Sequence, residues 1–362
     1  MSIQKRYILY IFILLPGLAQ TLFGQDPLYT QFSNTPLYYN PAFTGFSNGL
    51  HIRFSTRNQG PALATTLRSY YLSADIADRN LPGSGGFGII FNTDNEGLGF
   101  IQNYNIGVSF AVRVPLANSI VGQLGVKGAW LQKHIAWDQF KMSELVIERY
   151  GNIYDSGFIQ PDNNVLNLPD FAVGGLVQFI SEQGCVSGTV GMAVDHLFEP
   201  DQYFLPAKKA PLPRKWIGHA DMIWAVNCRS RTTAANDQIL KINPAIIFQY
   251  QNGLDAIIGG LNATKFGLYL GLWYKGLFGT HTATSIALMG GYRYGFAENM
   301  SIKFTYCYDK QIAGIPSGSV GAHEISLMLE FGNVRLFKGT GRSSHRLMSP
   351  KGIESNTTGV TF

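Results

Sequence analysis

From Gly49 onward the chain repeats one pattern: a stretch of about ten residues with an apolar or aromatic side chain at every second position, then a cluster of Gly, Asn, Asp or Pro. Leu50, Ile52 and Phe54 alternate with His51, Arg53 and Ser55, and Phe266, Leu268, Leu270, Leu272 and Tyr274 alternate with Gly267, Tyr269, Gly271, Trp273 and Lys275. The same holds for Ile302, Phe304, Tyr306 and Tyr308 against Lys303, Thr305, Cys307 and Asp309, and for Ile325, Leu327, Leu329 and Phe331 against Glu324, Ser326, Met328 and Glu330. Successive strand side chains point to opposite faces, so this pattern makes strands with one greasy and one polar face. It predicts strands near 49–57, 66–76, 85–93, 101–114, 119–132, 170–180, 184–196, 214–226, 238–250, 254–264, 266–275, 283–294, 299–309 and 322–332.

About fourteen strands is an even number, as bacterial single-chain membrane barrels have. A soluble sandwich also alternates, so strand count has to be joined by other signs. Aromatics cluster at strand ends (Trp130 and Trp137; Tyr269, Trp273 and Tyr274; Tyr292 and Tyr294; Tyr306 and Tyr308), as in the girdles of such barrels. The fold class expected is therefore all-β: a transmembrane antiparallel β-barrel of about fourteen strands with an irregular N-terminal plug segment.

That segment follows a secretory signal. Lys5 and Arg6 precede an apolar run, Tyr7 to Leu15, closed by Pro16 and Gly17, with cleavage expected after Ala19 or Gly24. Residues 25–48 then hold Tyr29, Phe32, Tyr38, Tyr39 and Phe43 with Pro27, Pro36 and Pro41 and almost no charge. Three prolines forbid a long helix or a regular strand pair, and exposing large side chains forfeits about 1.5–3 kcal/mol each. The segment is expected to lie inside the barrel, with Leu28, Tyr29, Phe32, Tyr38, Tyr39, Asn40 and Pro41 as the plug. The organisation is thus signal 1–24, plug 25–48, barrel 49–333 and a flexible tail 334–362, rich in Ser, Thr, Gly and Lys/Arg. The terminal Phe362 sits in a stretch that alternates poorly and is read as chance.

Connections are unequal. Gln251 to Asp255 and Ala297 to Asn299 read as periplasmic hairpin turns, while His134 to Pro169 and Phe198 to Pro213 read as extracellular loops, the first with a short helix over 143–150 and a role in partner binding.

Composition agrees with a barrel. Charged residues are 14%, aromatics 13%, and there are 41 Gly, yet no run after residue 23 nears the roughly 18–20 apolar residues of a spanning helix. The net charge of +5 lies partly in the two ends, and no basic face suits nucleic acid. Cys185, Cys228 and Cys307 are odd in number and far apart, which speaks against a disulfide framework or a metal cluster.

Catalytic signatures are missing: no GxSxG, HExxH, CxxC or phosphate-binding GxxxxGK[ST]. The run Gly83 to Gly88 leads into a strand and reads as a hairpin turn. His323 and Glu324 would face opposite sides, and His196 reads as a solvated or hydrogen-bonded rim histidine. Asp75, Asp195 and Asp309 are candidates to pair with Arg53, Arg68 or Arg113, or are plain lumenal polarity. No enzyme activity, cofactor or metal is expected.

An ordered set of stretches resembles the PorP/SprF-like family of outer-membrane proteins associated with the type IX secretion system of Bacteroidetes. It runs from Gln25-Asp26-Pro27 through Gln31-Phe32 and Pro36-Leu37-Tyr38-Tyr39-Asn40-Pro41-Ala42 to Gly45. It continues with Val190-Gly191, Asp195-His196-Leu197-Phe198-Glu199-Pro200, Gly271-Leu272-Trp273-Tyr274-Lys275, Tyr306-Cys307-Tyr308-Asp309 and Gly321-Ala322-His323-Glu324-Ile325. Cys307, Ala322 and the long tail depart from the family pattern. The resemblance implies a non-enzymatic outer-membrane barrel in secretion or surface anchoring of sorting-domain cargo, in some members gliding adhesins. The implied partners are outer-membrane lipid, the type IX translocon, secreted cargo and periplasmic peptidoglycan-linked components. A rival reading is an outer-membrane diffusion channel or hydrophobic-solute transporter, because Asn40-Pro41-Ala42 after a signal also resembles the hatch of fatty-acid-transporter barrels.

Overall fold

The computed structural model describes residues 26–60, 67–77, 84–96, 100–137, 146–147, 151–152, 163–204, 210–229, 238–278, 283–297, 299–313, 321–332 and 334. The expected signal (1–24) and all of the expected tail (334–362) except Val334 lie outside the described residues. The strands are β1 (Gly49–Gln59), β2 (Leu67–Ala77), β3 (Ser84–Glu96), β4 (Ile101–Ala117), β5 (Ile120–Ile135), β6 (Val146–Ile147), β7 (Gly151–Asn152) and β8 (Val165–Ile180). They continue as β9 (Val186–Asp195), β10 (Lys215–Ala225), β11 (Lys241–Gln251), β12 (Leu254–Lys265), β13 (Leu268–Phe278), β14 (Ala283–Ala297), β15 (Met300–Ala313) and β16 (Ala322–Phe331).

All but β6 and β7 form a closed barrel in sequence order, sealed where β1 pairs antiparallel with β16 from Leu50↔Phe331 to Gln59↔Ala322. Each of the fourteen strands read from the period-two pattern is present. Closure leaves no unpaired edge, the condition for strands to cross a membrane. The two faces separate as the alternation demands. Phe54, Leu72, Ile89, Phe110, Val126, Val177, Leu270, Leu288, Phe304 and Ile325 point outward, whereas His51, Arg53, Ser55, Thr305, Glu324 and Ser326 are buried inside. Among the described residues no helix is long and apolar enough to cross a membrane.

Several expectations are corrected. Tyr269 and Trp273 face the lumen, Trp273 donating Nε1–H to Asn262 Oδ1 at 2.9 Å, so only Tyr274 of that trio joins the outer girdle with Trp130, Tyr292, Tyr294 and Tyr306. The helix expected over 143–150 is absent from its described part: Val146–Ile147 pairs with Gly151–Asn152 as a small hairpin. The Gly83–Gly88 run is not a turn where it is described. It opens β3 with an irregularity between Ser84 and Gly86, and its missing side chains make room for the chain inside the barrel. The turns at 251–255 and 297–299 cannot share a side, because the three antiparallel strands β12, β13 and β14 lie between them. The first turn belongs to the rim with the long connections 136–164 and 196–214, here called the loop rim, and the second to the opposite, turn rim.

Cys185 and Cys228 form a disulfide with Cα atoms 5.6 Å apart, contrary to the reading from their spacing. The register supplies what spacing could not. β9 pairs with β10 so that Val186 faces Trp224, and Ala225 N–H donates to Cys185 O at 2.9 Å, which places the cysteines side by side at the turn rim. Cys307 is free and buried in the lumen.

Candidate functional site

The barrel is not an open tube. Residues 26–48 run down its interior from the loop rim to the turn rim, as a chain of short turns: 3-10 at Phe32–Asn34, one α-turn at Pro36–Tyr39 and 3-10 again at Pro41–Phe43. Pro36 and Pro41 each start a turn, where a missing N–H costs nothing. Asn40 caps the last turn, its Oδ1 accepting from Ala42 N at 2.8 Å.

Of the residues expected in a plug, Tyr29, Phe32, Tyr38, Tyr39, Asn40 and Pro41 are buried and Leu28 is half-buried. They pack as one aromatic cluster: Tyr29 stands edge-on to Tyr38 at 5.1 Å, Phe32 to Tyr39 at 5.4 Å, and Phe32 to Phe43 at 5.6 Å. Tyr39 OH donates to Tyr29 O, closing the segment on itself. The ring of lumenal His219 lies 4.9 Å from that of Phe43.

Polar groups then fix the segment to the wall all round. Glu324, 0% exposed on β16, accepts from Thr30 N at 2.9 Å with one oxygen and from Gln31 N at 3.0 Å with the other. Arg57 on β1 bridges the same Glu324 at 3.0 Å and Asp309 on β15 at 2.7 Å, and Asp309 also accepts from Thr30 Oγ1 at 2.7 Å. Lys275 on β13 donates to Leu28 O at 3.0 Å. Farther down, Asn40 Nδ2 reaches Gly175 O on β8 at 3.2 Å and His219 on β10 at 3.0 Å. Gln123 on β5 donates to Thr44 O at 2.7 Å, Arg113 on β4 to Phe46 O at 3.1 Å, and Gly45 N to Asp75 on β2 at 3.0 Å.

Glycines make the close approach possible. A Cβ at Gly125 would lie 2.4 Å from Ala42 N, one at Gly174 2.0 Å from Asn40 Oδ1, and one at Gly86 2.5 Å from Gly45 Cα. Gly45 itself has φ +58, the left-handed region glycine enters without strain.

The upper end is clamped by charge. Asp26 Oδ2 accepts from His196 Nε2 at 2.9 Å and from Lys215 at 2.7 Å, while His196 Nδ1 faces Asp170 at 3.0 Å. Asp195 joins Lys215 at 3.1 Å to Lys127 at 2.9 Å. Burial opposes the imidazolium of His196, yet Asp26 and Asp170 raise it to about 9. Burial likewise opposes charge on Asp26, but Lys215 and His196 hold its carboxyl well below the usual range. Of the two readings of His196, solvated or hydrogen-bonded, the second holds: it is a buried cation bonded between two carboxylates.

Of the suggested ion pairs, only Arg53–Asp75 forms. Asp309 pairs with Arg57, Asp195 with lysines, Arg113 binds backbone, and Arg68 is exposed. The residues sequence reasoning missed, Asp26, Arg57, Glu324 and Lys275, carried a signal: each strand member is a charge at an inward position. Among the described residues no group of three or more His, Cys, Asp or Glu could hold a metal ion.

The sequence profile of one family, described as "Type IX secretion system membrane protein PorP/SprF", matches residues 21–329. No curated protein matches. Among solved structures, the TodX deltaS2S3 mutant monoaromatic hydrocarbon channel is similar at 8% identity and TM-score 0.46, over 83% of this chain and 94% of that one. The Pseudomonas putida toluene transporter TodX gives 8% identity and TM-score 0.42 over 87% and 100% of the two chains. A Pseudomonas aeruginosa FadL homologue gives 11% and 0.41 over 85% and 95%.

Proposed function

The chain belongs to the PorP/SprF family of type IX secretion system membrane proteins, and from that premise we propose that it is a stoppered, non-enzymatic barrel of the outer membrane whose loop rim docks secreted, sorting-domain cargo. The observation that carries this reading is the lumenal segment itself. It is held by aromatic packing and by hydrogen bonds to ten strands around the circumference, from Lys275 and Glu324 near the top to Asp75 and Arg113 below. A cork fixed in this way keeps the membrane sealed while leaving the rim as a rigid docking surface.

Residues 26–48 act as the plug, with Leu28, Tyr29, Phe32, Tyr38, Tyr39, Asn40 and Pro41 filling the bore. Short turns face the periplasm in such barrels and longer loops the exterior, which puts the connections 136–164 and 196–214 outside. The translocon, gliding adhesins as cargo and peptidoglycan-linked periplasmic components follow from family membership as partners. The test has two arms. Cargo bearing its sorting domain should co-purify with the barrel from outer membranes and cargo lacking it should not, and purified protein in planar bilayers should carry no steady current. Unchanged co-purification of truncated cargo overturns the docking role, and a steady open-state current favours the channel reading.

A further inference from the structure

Above the plug, described residues of the lumen line a small cup of about 100 Å³. Its floor is Asp26, Pro27 and Tyr38, and its walls are β3, β4, β5 and β8, which extend past the level of the Asp26 clamp toward the loop rim. A cavity needs only about 10–15 Å³ on this measure to admit a water, so the cup has room for several waters or the end of one side chain.

The charges of the clamp cancel: Lys127, Lys215 and His196 face Asp26, Asp170 and Asp195. What remains in the cup is Asp94 and Glu96 on β3 against Lys133 on β5, and among the described residues none of these three makes an ion pair. Lys133 is drawn to the lip, donating to Gln202 Oε1 at 3.2 Å. The second observation is independent of charge. Asn92, 4% exposed on the same wall, has its Oδ1 without a hydrogen-bond partner, and so does Asp94 Oδ1. Buried polar atoms are ordinarily hydrogen-bonded, so two unpaired ones on adjacent inward positions of one strand point to a ligand that donates.

We propose that this cup receives one arginine guanidinium presented by a peptide of the secreted partner. Both orphan atoms are acceptors, on a wall that sets two carboxyl groups against one lysine. A guanidinium brings five donors and no acceptor, whereas a sugar hydroxyl brings both and leaves the charge unanswered. Asn103 and Asn105, paired across from Asp94 and Asn92 on β4, line the remaining wall for the planar group to lie against. The proposal rests on the docking reading above and specifies what the loop rim recognises.

The test uses the full-length protein in detergent and isothermal titration with N-acetyl-L-arginine amide, its neutral counterpart N-acetyl-L-citrulline amide, and glucose. The arginine probe should bind at least tenfold tighter than the citrulline probe, and Asp94→Asn with Glu96→Gln should erase at least tenfold of that affinity. Lys133→Met, which removes the competing cation, should tighten binding severalfold and serves if the double variant fails to migrate as a folded barrel on unheated gels. Equal binding of arginine and citrulline, no binding, preference for glucose, or indifference to Lys133→Met overturns it. If sorting-domain cargo still co-purifies while the arginine probe is ignored, the cup is refuted and the docking role stands. If cargo docking fails while the probe binds, the converse holds.

Discussion

Replacing Gly125 by valine should uncork the barrel without opening its wall. The Cβ would sit 2.4 Å from Ala42 N and from Pro41 C and O, all backbone atoms of the plug, where ordinary contact begins at 3.4 Å. The plug must retreat by about 1 Å, and it cannot do so as a rigid piece while Asn40 is held at Gly175 and Thr44 at Gln123. The wall has no reason to give: Gly125 lies mid-strand between Ala111 and Gly174, and a β-branched residue suits a strand. Overpacking of this kind costs about 1–3 kcal/mol, which raises the unseated fraction about 5- to 150-fold. In planar bilayers the variant should show intermittent current where the native protein is silent, and protease added in detergent should cut within residues 26–48. Gly218→Val, at a position with nothing within 4 Å of the added carbon, is the control and should stay silent. A Gly125→Val protein that is as silent and as protease-resistant as the native one would refute the claim that this segment is what closes the bore.

Glu324→Ala leaves two plug N–H groups unpaired in the lumen and Arg57 with Asp309 alone, and an unsatisfied buried group costs about 1–3 kcal/mol; a lower unfolding temperature on heated gels, with Glu324→Gln falling between, is the expected result. The clamp predicts a pH window for plug protection. His196 titrates at about 9 when folded against 6.5 when free, so its contribution is full below about pH 6.5 and is lost as pH rises through about 9. Asp26, held low, contributes above the ordinary carboxylate range and loses its share as pH falls beneath it. Limited proteolysis from about pH 2 to 10 should show protection falling at the alkaline end and, on the acid side, only beneath the ordinary carboxylate range, and His196→Gln should flatten the alkaline side. Reducing the Cys185–Cys228 bridge, which spans 43 residues, should lower the unfolding temperature by the equivalent of at most about 3–5 kcal/mol and shift mobility on non-reducing gels; Cys185→Ser should abolish that shift.

The strands were legible because each needs only its own residues: a lipid-facing Phe304 beside a lumenal Thr305 declares its face without knowing its neighbour. What stayed hidden were facts of register. Asp309 could meet any inward arginine on sequence grounds, and only the register across β16, which sets Asp309 against Ala322 and Arg57 against Glu324 but Arg53 against Met328, selects Arg57 over Arg53. The disulfide was concealed for the same reason, since Cys185 and Cys228 become neighbours through the β9–β10 ladder alone. The glycines of β3 and β5 were ambiguous: an inward gap reads equally as a turn, a flexible joint or a seat, until the plug is found lying in it.

A barrel with an even number of strands ordinarily leaves both chain ends on one side of the membrane. Here residues 26–48 are folded back through the bore, so that Asp26 rests beside His196 near one mouth while Gly332 lies against Asn299 at the other. A dye or affinity handle at residue 26 and another at residue 332 would thus report on opposite rims, and whatever touches the first of them approaches from the loop rim.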